Sequence, residues 1–163
     1  AANIGKLFNE RNQWFSRGLA SNARDYAHIE TLDISSLYAM STYGPAKPDD
    51  TSVYATLQAV EKHLQNPYSA KGVIRYPGDN YMISNEHNAA NPWYVCTLWL
   101  GKHYANVGNI DKAKETLDWT LDHVDESGML SEQIDPVTGD RRGVTPLVWS
   151  HAEYLSLLLA ISQ

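Results

Sequence analysis

Apolar residues recur along this chain mostly at helical spacing. In Thr51–Gln65, Val53, Leu57, Val60 and Leu64 fall at i, i+4, i+7 and i+11, which is one stripe along a helix. Asp50 or Thr51 can cap its start, and Asn66–Pro67 stops it. A second helix is expected from Asn91 as N-cap and Pro92 as its first helical residue. It runs through Trp93, Cys96, Leu100 and Tyr104 to Gly108, a residue suited to the left-handed turn that ends helices. Asp111 then caps a third helix to about Val124, and Thr145–Pro146 opens a fourth carrying Leu147, His151, Tyr154, Leu155, Leu158 and Leu159. Two further helices are expected at Ile4–Trp14 and Asp33–Thr42. The pattern therefore reads as all-α, with six helices.

Strand-like alternation is confined to short pieces near Gly18–Ala20 and Val73–Tyr76. No sequence repeat or low-complexity linker divides the chain, so one domain is expected. Two long segments carry no convincing helix or strand pattern, Pro67–Ala90 and Asp125–Val144. Loops longer than ~12–15 residues are uncommon in compact domains and often carry function. Charged and aromatic residues occur together in both.

Composition narrows the function classes. Thirteen Lys and Arg against nineteen Asp and Glu give a formal charge of −6. Without a Lys/Arg-rich run, this is not the footprint of a nucleic-acid or anionic-membrane partner. The longest apolar stretches, such as Leu155–Ile161, fall far below the ~20 residues of a membrane-spanning helix. The single cysteine, Cys96, excludes an internal disulfide and a multi-cysteine zinc site, and its place among apolar residues reads as packing. The histidines lack the His-Glu-x-x-His spacing of a metal site. Asp135–Asp140 has too few alternating acidic ligands for a calcium loop and reads as a plain turn. Five Trp and ten Tyr stand against two Phe, so most rings pair a flat face with a polar edge. That suits sugar binding, and equally a filled core. The chain opens on Ala1–Ala2–Asn3 with no charged-then-apolar leader after it; a piece of a longer protein is the expectation, and the compartment stays open.

Candidate chemistry lies in the two long loops. Arg75, Tyr76, Asp79 and Tyr81 offer a fork of donors, a carboxylate and flat rings, the groups that grip vicinal hydroxyls. The same residues also fit a Pro/Gly turn with Arg75 and Asp79 paired on the surface. Glu132 sits in an irregular segment between Leu130 and Ile134. It fits either a general base tuned by burial or a solvated loop glutamate.

Three segments taken in order resemble glycoside hydrolase family 15, the glucoamylase family. They are Arg75-Tyr-Pro-Gly-Asp-Asn-Tyr81, Asn91-Pro-Trp-Tyr-Val-Cys-Thr-Leu98, and Gly128-Met-Leu-Ser-Glu-Gln-Ile-Asp-Pro136 continuing to Leu147-Val-Trp-Ser-His-Ala152. The resemblance runs from Ile4 to Ile161. It implies an (α/α)6 barrel of twelve helices that hydrolyses α-glucosidic bonds from the non-reducing end with inversion. By the same resemblance Glu132 matches the general base, Arg75 the arginine on the glucose hydroxyls, Trp93 and Trp149 the pocket tryptophans, and Asp79 a common aspartate. Two departures stand out. Met82–Ala90 is inserted relative to the fungal pattern, and nothing here matches the first half of the barrel, where the family's general acid lies.

Six helices would make the C-terminal half of that barrel, with uncovered apolar faces that imply a partner. The expected partners are the missing N-terminal half or a second copy of this chain, together with an α-glucan, maltooligosaccharide or trehalose substrate. Inverting hydrolysis requires no cofactor. The competing functions are trehalose cleavage on the same scaffold and a non-catalytic carbohydrate-binding helical module.

Overall fold

The computed structural model describes residues 4–18, 29–44, 47, 50–83 and 85–162. A 3-10 turn at Ile4–Leu7 leads into a hairpin of β1 (Phe8–Asn9) and β2 (Trp14–Phe15), then α1 (Ile34–Thr42) and α2 (Thr51–His63). Next come α3 (Tyr94–Asn106), α4 (Ile110–Asp122), a second hairpin of β3 (Gln133–Ile134) and β4 (Arg141–Arg142), and α5 (Val148–Ile161). The fold is helical, with strands of only two residues. Five α-helices lie among the described residues where the periodicity predicts six.

The correction falls on Ile4–Trp14, which forms the first turn and hairpin instead of a helix. Asn9 diverts the chain. Its side-chain Oδ1 accepts from the backbone N–H groups of Arg11 and Asn12, and its carbonyl accepts from Gln13 N at 2.7 Å. Such a local turn competes directly with helix formation. It folds Phe15 back edge-on to Phe8, and Phe15 N donates to Thr56 Oγ1 on α2 at 3.0 Å. Of the extended pieces expected, Val73 and Ile74 form bridges, whereas Leu19 and Ala20 lie outside the described residues.

Helix starts follow capping chemistry where a cap is free to act. Asp33 accepts from Ser35 N at 2.9 Å to start α1, and Asp50 accepts from Ser52 N at 3.0 Å to start α2. Three starts differ from expectation. Asn109, rather than Asp111, caps α4 by accepting from Lys112 N, leaving Asp111 in the first turn where its charge suits the helix dipole. Helix α3 begins at Tyr94, because Asn91 and Pro92 are taken up in tertiary pairing. Helix α5 begins at Val148, because Leu147 N donates to Leu130 O and Val144 O accepts from Glu132 N.

Helix α3 is the centre of the core. Ten of its thirteen residues are buried, including Cys96 and His103. It packs against α1, α4 and α5, while α2 covers α1 and β2. Gly101 makes the close approach feasible. A Cβ there would strike Thr116 Oγ1 of α4 and lie 2.7 Å from Leu157 Cδ2 of α5. Helix α5 buries Ser150, Glu153 and Leu157 but leaves Val148, Trp149, Leu155, Leu158 and Leu159 exposed.

Candidate active site

A lattice of short backbone pairings gathers the long loops at the N-terminal end of α3. Val73 bridges Gln65, Ile74 bridges Pro92, Trp93 bridges Gln133, and Gln133 pairs with Arg142 across the second hairpin. Trp93 N donates to Val73 O at 2.9 Å, Ile134 N to Pro92 O at 3.0 Å, and Tyr94 N to Glu132 O at 3.3 Å. Residues far apart in sequence thus share one rim, and each backbone group satisfied this way helps fix the loops without regular structure.

Arg75, Asp79 and Trp93 are in direct contact. Arg75 Nε donates to Asp79 Oδ2 at 3.1 Å and Nη2 to Asp79 Oδ1 at 2.9 Å, the two-pronged geometry of a strong charge-assisted pair. Trp93 Nε1 also donates to Asp79 Oδ2, at 3.2 Å, and Tyr81 N donates to Oδ1, at 3.2 Å. Asp79 is buried, with its two oxygens accepting four hydrogen bonds. The pair is therefore internal, not the surface pair that a plain turn would give.

Rings surround the guanidinium. Its Cζ lies 4.6 Å from the Trp93 ring centroid, 4.8 Å from Tyr76 and 5.8 Å from Tyr81. Burial works against the charged guanidinium, yet hydrogen bonding and Coulombic attraction to Asp79, followed by Tyr76, raise its pKa further. Arg75 is a permanent cation held by Nε and Nη2, and Nη1 makes no such bond among the described residues. Arg17 also lies over Tyr76, 4.8 Å from the ring centroid, and is bridged to Asp33 at 3.4 Å. A cavity of about 480 Å³ opens beside Asp79, lined also by Ile74, Gly78, Asn80, Ile83 and Asn88.

The loop after Tyr81 is anchored at both ends. Asn91 Nδ2 donates to Met82 O at 3.1 Å and to Gln133 Oε1 at 2.8 Å. Asn85 Oδ1 accepts from the N–H groups of His87 and Ala89, and His87 stacks on Tyr68 at 5.1 Å. Tyr81 stacks on Trp93 with centroids 5.8 Å apart, so it joins the Arg75 cluster.

Glu132 reaches the same rim through its backbone: N donates to Val144 O at 2.9 Å and O accepts from Tyr94 N. Its side chain is half-buried, and the carboxylate oxygen Oε2 is buried with no hydrogen-bond partner among the described residues. A solvated loop glutamate would not look like this, because an unpartnered buried acceptor is costly. The segment is braced on α5: Ser150 Oγ donates to Ser131 O at 2.8 Å, and Leu130 N donates to His151 Nε2 at 3.0 Å. His151 thus holds the loop, with its ring proton on Nδ1. The following turn is also committed, since Asp135 accepts from Val137 N, Thr138 N and Arg142 Nη2. That is turn chemistry, as the sequence predicts.

Trp149 keeps different company. It stands exposed on the first turn of α5, donates from Nε1 to Glu153 Oε1 at 3.3 Å, and meets Trp99 edge-on at 5.5 Å. Trp99 stacks on Tyr38 at 4.6 Å, and Lys102 Nζ donates to Tyr38 Oη at 3.1 Å and Glu153 Oε2 at 3.4 Å. Trp99 Nε1 is buried without a partner among the described residues. Tyr38, Trp99, Lys102 and Glu153 are not singled out by the sequence reading. The four-residue step from Trp149 to Glu153 and the three-residue step from Trp99 to Lys102 are the helical spacings that signal this cluster.

The profile of glycosyl hydrolases family 15 matches residues 4–120 and 112–159. Trehalase 2 of Sulfolobus acidocaldarius is 24% identical over 172 residues, covering 97% of this chain and 28% of the trehalase. A solved glycosidase variant in complex with glucose superposes with a TM-score of 0.76 at 24% identity, covering 99% of this chain and 42% of that one. A bacterial glucoamylase complexed with acarbose gives a TM-score of 0.70 at 25% identity, over 82% of this chain and 21% of that one. This chain spans between 19% and 30% of the length of the curated relatives it matches. With the profile spanning nearly every helix described above, the chain belongs to glycosyl hydrolases family 15.

Proposed function

We propose that this chain is the C-terminal, base-bearing portion of an inverting α-glucosidic hydrolase of the glucoamylase type, which releases glucose from the non-reducing end of α-glucans or maltooligosaccharides. The observation that carries this reading is Glu132: a carboxylate oxygen buried without a partner, on the rim that also holds Arg75 and Trp93. In inverting hydrolysis one carboxylate takes a proton from water as the water oxygen attacks the anomeric carbon. A second carboxyl group, on the opposite side of the bond, protonates the departing glycosidic oxygen. Glu132 is the first of these. The second comes from outside this segment, either from an N-terminal half of the barrel or from a second copy of the chain. The exposed apolar side chains of α5 are the natural ground for that partner.

Arg75 binds glucose hydroxyls through the edge that Asp79 does not use, and the Trp93 and Tyr81 rings supply flat faces for the sugar. Asp79, saturated and buried, acts through Arg75 and does not touch the sugar. Trp149 on α5, in its separate cluster with Trp99, offers the sugar a second aromatic face. Trehalose is the second candidate substrate, favoured by the match to a trehalase over 97% of this chain. The two differ in the leaving group, so substrate competition separates them.

The test is glucose release from maltotriose and from trehalose by this chain joined to the acid-bearing half, with Glu132→Gln beside the parent and glucose binding measured by calorimetry. Loss of a general base predicts a fall of about 10²–10⁴-fold in hydrolysis with binding retained. Equal hydrolysis by parent and variant would remove Glu132 from the mechanism. Binding without hydrolysis in the parent, even when joined to the acid-bearing half, would identify a carbohydrate-binding module instead.

A further inference from the structure

We infer that Gly143 is a positioning residue for the Glu132 carboxylate, an inference that rests on Glu132 being the base. The second hairpin ends on the pair of Gln133 with Arg142, and the next residues outward, Glu132 and Gly143, lie against each other. A Cβ built on Gly143 would press into Glu132 Oε2 and lie 3.0 Å from Glu132 Cβ and 3.4 Å from Cδ. The carboxylate therefore rests on bare backbone, in space that any side chain at this position would take. Retreat is blocked as well. Glu132 N is bound to Val144 O and Glu132 O to Tyr94 N, so the backbone cannot shift to accommodate a new group. Rotation of the Glu132 side chain is what relieves the contact at Oε2, and that moves the oxygen that must hold the attacking water. A displacement of about 1 Å from productive geometry can cost on the order of 10²-fold in rate.

Gly143 also has φ 72°, a conformation that strains other residues, so an alanine there acts in two ways at once. Gly128, in the same inter-helix segment, separates the two effects. It has φ 70°, and a Cβ there meets nothing within 4 Å. Gly128→Ala carries the backbone strain alone, and Gly143→Ala carries the strain plus the push on the carboxylate.

Two measurements decide. In this chain labelled with carboxyl-¹³C glutamate, the Glu132 resonance is identified by its loss in Glu132→Gln. Gly143→Ala should move that resonance more than any other carboxyl signal, and Gly128→Ala should leave it in place. An unmoved resonance in Gly143→Ala overturns the inference whether or not the chain hydrolyses anything. In the hydrolytically competent protein, Gly143→Ala should lower kcat about 10–100-fold, leave KM within about twofold, and shift the acidic limb of the kcat–pH profile. A loss matched by Gly128→Ala would mark mere backbone strain and overturn the role. A Glu132→Gln variant with unchanged kcat would sink the base assignment instead, and the resonance shift would still report whether Gly143 sets the carboxylate's place.

Discussion

Replacing Asp79 with asparagine tests the Arg75 cluster at its centre. The side chain keeps its size, but the charge disappears and one oxygen becomes an amide nitrogen that cannot accept. Asp79 receives Arg75 Nε and Nη2, Trp93 Nε1 and Tyr81 N, so whichever way the amide turns, two of those four donors face an NH2 group. Hydrogen bonds to charged groups contribute about 1.5–3 kcal/mol each, and breaking a buried ion pair costs about 3–5 kcal/mol. The Arg75 side chain is 31% exposed, so water recovers part of that loss, while Asp79 at 2% receives no such help. The expected destabilisation is about 2–3 kcal/mol, below the buried-pair range because the arginine is partly solvated. For a chain of this size it corresponds to a fall in Tm of about 5–10 °C. Urea and thermal unfolding followed by circular dichroism measure it. Glucose affinity should fall at least about tenfold as well, since the guanidinium loses its fixed orientation. A loss of stability below about 0.5 kcal/mol, with unchanged glucose binding, would show that Asp79 does not hold Arg75.

Further expectations follow from the core. Gly101→Ala should cost about 1–3 kcal/mol by forcing α4 and α5 off α3, and an unchanged urea midpoint would contradict the close packing at Thr116 and Leu157. His103 is buried with its pKa lowered to about 4 from 6.5, chiefly by burial, with the Glu61 charge acting in the opposite sense. The unfolded chain therefore binds the extra proton first, so stability rises with pH across that window and is lost as pH falls from about 6.5 through about 4. The histidine's share is about 3 kcal/mol, and His103→Gln should flatten the slope of unfolding free energy against pH between those limits. An equal slope in the variant would assign it to other groups.

The helices were largely legible because burial against one face writes a period of 3.6 into the sequence. Val53, Leu57, Val60 and Leu64 mark α2, and all four are buried. Asp33 and Asp50 cap their helices because those interactions are local, within two residues. Local signals misplaced the starts of α3 and α5 because Pro92, Val144 and Leu147 commit their backbone groups to partners 42, 12 and 17 residues away. Ile4–Trp14 misled for the opposite reason, a side-chain turn at Asn9 outcompeting a weak helical pattern.

The site divides the same way. Residue types alone raised Arg75, Asp79 and Glu132 as chemistry, and ordered motifs tied them to a family. What they could not convey was that Asp79 is buried and saturated, that one Glu132 oxygen lacks a partner, or that Gly143 is its floor. Those facts depend on which loops lie side by side. A hairpin of two-residue strands and three isolated bridges among the described residues decide that, and such short pairings leave no periodicity for the sequence to display. Composition, helix pattern and motif identity were thus determined along the chain, while burial, hydrogen-bond saturation and cross-strand register emerged only when distant segments met.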